Sequence, residues 1–394
     1  MVLRHLSDSL RNELVSDILP FWEEKMTAPD GGFYGRMDGQ AVLHPDAERG
    51  AILNARILWS FSAAARVLRD AGYMSAAKKS YVYIRDHFVD PEYGGTYWSL
   101  NADGSPADTK KQFYAIAFMI YGLSEYYRAG GEKEALDLAV SLYGTVRGHS
   151  LDTERGGYLE AAARDWSPLA DVRLSEKDQN DAKTMNTHLH ILEGYTSLYR
   201  VWKDEGLAED LEGLIRIFLD RIVQQDGHLG LFFGEDWTLH SDVISYGHDI
   251  EASWLLCEAA DVLGRQELAE EVRAVCRKVA AAAMEGYCEG EGMIYEYDPE
   301  LSRKDGDRHW WVQAECVVGC FNQYQLYGET RYLKAAEDVW RFIASRLLAP
   351  DGEWYWSVRA DGTVNTDDDR AGFWKCPYHN SRMCLELIER ISSL

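Results

Sequence analysis

Four short segments carry side chains whose types and spacing could move protons on a small polar substrate. In SYGHDIEASWLL (245–256), His248 and Glu251 stand three residues apart, so on a helix they share one face and the carboxylate can accept a hydrogen bond from the imidazole. Such a contact would fix the tautomer and raise the basicity, whereas a helix N-terminus favours the neutral ring, so the two effects oppose. A histidine titrating near neutrality is a general acid or base worth roughly 10²–10⁴-fold in rate. FWKCPYHNSRMCLE (373–386) holds His379 just after Pro377, at a helix start, with Arg382 one turn further on. KTMNTHLHILEGYTSLYR (183–200) sets Asn186 and His190 four apart, and RHWWVQAECVVG (308–319) adds Trp311 and Glu315. Arg56 and Tyr114 fall in the first turns of two further apolar helices, while Trp254 and Trp374 put indoles next to the histidine segments. Tryptophan beside a polar helix start suits stacking on a sugar face; core packing is the alternative for some of the thirteen.

Other chemistries lack support. His188 and His190 form an H-x-H, but on a helix residues two apart point about 200° apart and cannot easily grip one metal. With no H-E-x-x-H or C-x-x-C in the chain, no metal is expected. The sequence also lacks G-x-G-x-x-G, G-x-x-x-x-G-K-[ST] and G-x-S-x-G, so nothing points to a nicotinamide cofactor, ATP or a serine nucleophile.

The elements that must position these residues follow from a repeat. Six glycine-and-aromatic turns, GGFYG (31–35), YGGTYW (93–98), RGGYLE (155–160), GHLGLFFG (227–234), EGMIYEY (291–297) and DGEWYW (351–356), begin 62, 62, 72, 64 and 60 residues apart. That period fits a hairpin of two helices plus a functional loop. Helical periodicity appears near 7–26, 50–71, 74–88, 110–129, 132–148, 183–203, 206–224, 247–263, 265–285, 309–327, 331–347 and 371–392. Runs such as 265–285 have one charged face, as an outer helix should; runs such as 50–71 are apolar almost all round except near their start. Six hairpins closing into a ring predict an all-α (α/α)6 barrel, with the turns as short β-hairpin-like caps at its mouth. The inner helices then run parallel, and the polar residues at their starts converge on one pocket.

Bulk composition fits one large catalytic domain spanning 1–394: no linker or low-complexity tract divides the chain, and 46% of residues are hydrophobic. A net charge of −24 argues against nucleic acid or an anionic membrane as partner. No apolar run reaches membrane-spanning length, and the N-terminus lacks a signal-peptide core. All seven cysteines lie beyond residue 256; Cys316 and Cys320, four apart on a helical pattern, read as small core residues. A reduced, cytoplasmic protein is expected.

At these residues the chain resembles the cellobiose 2-epimerase branch of the N-acylglucosamine 2-epimerase superfamily. LNARILWSFSAAAR (53–66), KQFYAIAFMIYGLSEYY (111–127), KTMNTHLHILEGYTSLYR, SYGHDIEASWLL, WWVQAE and FWKCPYHNSRMCLE carry the likeness in order from 53 to 386. Val312 stands where a proline is frequent, touching no candidate catalytic group. The resemblance implies an (α/α)6 barrel and cofactor-free, reversible inversion at C2 of the reducing-end glucose of a β-1,4-linked disaccharide. It makes His248 and His379 the two acid/base groups, with Glu251 supporting His248. Arg56 and His190 match positions that hold the C1 and C2 oxygens. Tyr114, Asp178, Asn186, Trp254, Trp311, Glu315 and Trp374 match substrate-contacting positions. The partner is then a small disaccharide, the protein a monomer. A glycoside hydrolase on the same barrel would instead need two carboxylates about 5–9.5 Å apart, and would leave three motif histidines unexplained.

Overall fold

A helix that is apolar on every side needs cover on every side, and this requirement sorts the helices into two rings. The computed structural model describes residues 2–394. Its inner helices are α2 (Ala51–Leu68), α4 (Phe113–Arg128), α6 (Met185–Val201), α8 (Tyr246–Leu263), α10 (Trp310–Tyr327) and α12 (Tyr378–Ser392). The outer ones are α1 (Val2–Glu13), α3 (Gly72–Tyr83), α5 (Lys133–His149), α7 (Glu205–Ile217), α9 (Gln266–Ala283) and α11 (Thr330–Phe342). Each inner helix packs on the next and α12 returns to α2, so the ring closes; each outer helix lies against its own inner neighbour, α1 against α12. This is an (α/α)6 barrel. All but two residues of α2 are buried, whereas α9 buries only one stripe. Close approach of the inner helices depends on small residues: a Cβ on Gly122 would stand 2.7 Å from the Ala55 carbonyl oxygen, and one on Gly194 at the same distance from that of Ala117.

Several expected boundaries move, each for a local reason. The last helix starts at Tyr378 rather than 371, because Pro377 cannot extend a helix backwards with a hydrogen bond of its own; Trp374 therefore sits on a loop. Residues 111–112 are extended, not helical. The first helix begins at Val2, five residues before the expected start. Around Pro20, which has no N–H to give, the chain continues through wider five-residue turns at Leu14–Ile18 and Phe21–Lys25. Similar wide turns, Ile84–Phe88, Phe218–Ile222 and Ile343–Leu347, finish three other outer helices and deliver the chain into the glycine-aromatic turns.

Those turns close on themselves, Thr27 bridging Phe33, Val89 bridging Thr96 and Leu151 bridging Tyr158, for example. A second set of short pairings forms a collar where the inner helices begin. Arg49–Gly50 pairs with Ser99–Leu100, Lys111–Gln112 with Ala161–Ala162, Lys183–Thr184 with Phe232–Phe233, and Arg308–His309 with Ser357–Val358. Ile244–Ser245 pairs with Glu296 and Tyr297, and a Met37–Ala371 bridge joins the first repeat to the last. The last residue of each strand is also the extended N-cap of its helix. The first helical N–H then goes to the next repeat's loop, as from Ala51 to Trp98 O and Phe113 to Glu160 O. Cations just ahead of the helices bind carboxylates of the turns: Arg49 to Asp30, Lys111 to Asp90, Lys183 to Asp152 and Lys375 to Glu353. The collar thus fixes where each inner helix starts, and so where its first-turn side chains point.

Candidate active site

The first two turns of the inner helices carry most of the side chains singled out in the sequence, Trp374, Asp178 and Trp254 excepted, and the barrel brings them to one end. Trp311 lies close to two imidazoles, its ring centre 4.8 Å from that of His248 and 5.7 Å from that of His379. His190 is close enough to both to depress their proton affinity electrostatically. Tyr114 meets His190 edge-on at 4.9 Å and Trp374 at 6.1 Å. Arg56 donates to Tyr114 Oη at 2.9 Å and lies 4.2 Å over Phe118 and 4.7 Å over Tyr378. Asn186 is half-buried, and its Oδ1 has no hydrogen-bond partner, nor has Arg56 Nε. Buried polar atoms without partners cost stability unless a ligand or water pairs with them. Asp178 sits on the rim, accepting from the Ser175 N–H and hydroxyl at 2.9 Å, near Tyr295 and Glu296.

Under this layer lies an ionic floor. The guanidinium of Arg382, fully buried, donates to Glu251 Oε1 and Glu315 Oε1 at 2.6 Å each, and also to Glu193 and the Tyr378 hydroxyl. Three carboxylates thus share one guanidinium, and they respond differently. Glu193 is held down to about 2 despite burial, because Arg382, His190 and Tyr378 all contact it. Glu251 is pushed up to about 8 by burial and by the neighbouring Glu315 charge, with Arg382 opposing. Burial raises Glu315 as well. His379, His190 and His248 are all lowered below the ordinary histidine value, mainly by burial, and stand neutral.

The geometry redistributes the supporting roles expected from the sequence. Glu251 does not bond to His248: its partner is Arg382, and the His248 Nδ1 pairs with Ser245 Oγ at 2.8 Å instead. The permanently charged guanidinium is a stronger donor to the Glu251 oxygen than a neutral imidazole, since a hydrogen bond with a charged donor is the stronger one. Glu315, expected to contact substrate, has both oxygens engaged, Oε1 with His379 Nδ1 (2.7 Å) and Arg382, and Oε2 with Trp254 Nε1 (3.0 Å). Trp254 is 1% exposed and lies against Arg382 and Arg390, so its indole holds Glu315 rather than offering a face to a sugar. His188 turns away from the site: its Nδ1 meets Thr184 O at 2.7 Å and its Nε2 accepts from the Tyr158 N–H at 2.9 Å. The H-x-H pair therefore points two ways, as helix geometry requires. One oxygen each from Glu251 and Glu315 and a nitrogen of His379 lie within 4.8 Å of one another, but the Arg382 guanidinium between the carboxylates already supplies the countercharge a metal would bring.

Glu193, Tyr378 and Ser245 escaped the sequence reading. Ser245 and Tyr378 gave no signal, being an N-cap and a tyrosine among many. Glu193 did: His190 and Glu193 repeat the His-x-x-Glu spacing that drew notice at 248–251, and here the hydrogen bond forms, Nδ1 to Oε2 at 2.9 Å.

Comparison with known proteins agrees with this architecture. The family model for N-acylglucosamine 2-epimerase (GlcNAc 2-epimerase) matches residues 32–381. A cellobiose 2-epimerase of Bacteroides fragilis is 55% identical over 387 residues, 97% of this chain and 98% of that one. The cellobiose 2-epimerase of Ruminococcus albus is 40% identical over 384 residues, 97% of this chain and 98% of its own. The solved structure of cellobiose 2-epimerase from Bacillus thermoamylovorans superposes with a TM-score of 0.94 at 40% identity, covering 98% of this chain and all of that one.

Proposed function

The chain belongs to the N-acylglucosamine 2-epimerase family and is a carbohydrate epimerase, and we propose that it inverts C2 of the reducing-end glucose in β-1,4-linked disaccharides. Cellobiose would become glucosyl-mannose and lactose epilactose. The observation that carries this reading is the pair of neutral imidazoles, His248 and His379, on separate inner helices and both close to the Trp311 indole. C2–H becomes acidic once the ring has opened and C1 is an aldehyde. One imidazole removes that proton from one face, leaving a cis-enediolate; the other returns a proton to the opposite face. The charge that develops on the C1 and C2 oxygens falls to Arg56, with His190 beside it. Tyr114, Asn186, Trp311, Trp374 and, from the rim, Asp178 would hold the sugar. Protonation of the same enediolate at C1 would give a slow aldose–ketose side reaction. No helix among the described residues is long and apolar enough to cross a membrane, and we propose a cytoplasmic monomer that works as one catalytic domain without cofactor. A hydrolase finds less support, because Glu251 and Glu315 each give their Oε1 to the same Arg382 guanidinium rather than facing each other across a glycosidic bond. Proton NMR of the protein with cellobiose, nothing else added, tests the proposal: a mannose-type reducing end must appear while the glycosidic signal stays constant.

Two expectations follow from the charge states. Protonation of His248 or His379 would abolish the base, and both rings hold protons less readily than free histidine because they are buried. The folded-state values lie below 6.5, so kcat/KM must persist as pH falls through 6.5 and decline only further into acid. A profile half-lost at 6.5 or above would contradict neutral, buried bases. Second, Glu251→Gln replaces a carboxyl whose proton affinity is raised by burial with a neutral amide of similar shape. The melting point should change little, while turnover falls about 10- to 1000-fold for a group that supports the proton carriers; unchanged kcat would leave Glu251 a purely structural partner of Arg382.

A further inference from the structure

We propose that Cys316, Cys320 and Met284 form an all-sulfur binding site for a soft monovalent cation of the Cu(I) class, set in the seam between the two helix rings and apart from the sugar pocket.

Four residues apart on α10, Cys316 and Cys320 share one helix face, and both are fully buried free thiols. Their sulfurs stand 4.0 Å apart, and the Cys320 thiol donates to the Met284 thioether at 3.6 Å. Met284 opens the tight turn Met284–Gly286 that follows α9, and it is only half-buried, so the sulfurs reach toward the surface at that end. On the far side lies α11, with Asp338 near Cys316 and Tyr332 near Cys320. Asp338 is already engaged, accepting from the Tyr287 hydroxyl at 2.8 Å and the Gly290 N–H at 2.7 Å.

Sulfur makes weak hydrogen bonds, so as a polar network the cluster gains little. Its spacing is that of a coordination shell. Metal–sulfur bonds of about 2.3 Å put neighbouring sulfurs roughly 3.8 Å apart at tetrahedral angles and roughly 4.0 Å apart in a trigonal plane. Ligand type then selects the ion, because thiolate and thioether are soft donors that favour Cu(I). Structural zinc takes four ligands, and among the described residues no imidazole, carboxylate or further cysteine completes such a set around these thiols. A closed-shell monovalent ion is satisfied by three sulfurs. The site escapes a motif search because Cys-x-x-x-Cys is not a zinc pattern and Met284 stands 36 residues from Cys320.

Contact with Cys320 and burial both keep the proton on Cys316, so the cation meets thiols. Binding is a ligand exchange without electron transfer. Cu(I) takes the place of one thiol proton, which passes to water, while the second thiol and the thioether bind through lone pairs. One positive charge replaces another, and the buried site stays neutral. The occupied site ties the end of α9 to α10 and takes no part in the sugar chemistry.

The test is an anaerobic titration of the folded protein with Cu(I) held by bicinchoninate, in a Cys288→Ser background that removes the exposed thiol. Cys316→Ala and Cys320→Ala should each withdraw one equivalent fewer than this parent. Met284→Leu should keep the equivalent but bind it at least about tenfold more weakly. Cys384→Ala, at a buried thiol on α12, should match the parent. X-ray absorption of the loaded parent should show sulfur ligands alone, and its thermal midpoint should rise by roughly 3 °C with free Cu(I) at a hundredfold excess over Kd. A packing role alone would lower the midpoint of the alanine variants without changing copper uptake. Should Cys316→Ala fail to fold, Cys320→Ala and Met284→Leu decide. Uptake by Cys320→Ala equal to the parent's, no copper withdrawn at all, or nitrogen or oxygen ligands in the absorption spectrum overturns the proposal.

Discussion

Arg382→Met will be among the most damaging single substitutions in the protein, although Arg382 is not expected to touch the reacting carbon. Methionine fills the space but leaves Glu193, Glu251 and Glu315 buried without their shared cation. Removing one partner from a buried ion pair costs about 3–5 kcal/mol, because the charge left behind is neither solvated nor paired. A fall in the thermal midpoint of roughly 4–6 °C is expected, with loss of activity, since Glu315 orients His379 and Glu193 orients His190. Arg382→Lys should recover only part, because a lysine ammonium cannot offer the planar fork that reaches three carboxylates at once. A methionine variant that melts like wild type would show that the floor is not held by this charge.

His248→Ala and His379→Ala should each cut epimer formation by about 10²–10⁴-fold, the usual worth of a positioned proton carrier. The two variants should nevertheless differ in a telling way. If the imidazoles serve opposite faces of C2, the one that remains can still remove the proton it faces, so at least one variant should exchange the C2 hydrogen of one epimer with deuterated water while making almost no product. Mass and NMR analysis of recovered sugar separates exchange from inversion. Full epimerase activity in either variant would rule out the two-histidine scheme.

The barrel itself was legible because its two causes are written locally: turn segments rich in glycine and aromatics at a near-constant spacing, and helices that alternate between apolar all round and apolar on one stripe. The pocket's upper layer was legible for the same reason, since Tyr114, His248, Trp311 and His379 all fall within three residues of an inner-helix start. What sequence could not show is who pairs with whom. Spacing on one helix suggested His248 with Glu251, yet the ionic floor is built between helices. Arg382 on α12 reaches Glu193 on α6, Glu251 on α8 and Glu315 on α10, residues separated by 189, 131 and 67 positions. A pattern confined to one helix cannot rank a local neutral partner against a distant charged one. Nor could it reveal that Trp254, adjacent in sequence to the histidine motif, lies beneath the floor instead of facing the pocket.

The most direct test of two-base inversion at C2 is conversion of cellobiose by the wild-type protein in deuterated water, stopped early. Glucosyl-mannose with solvent deuterium at C2 and an intact glycosidic bond is the expected product. Free glucose, or epimer that keeps its original C2 hydrogen, would contradict it.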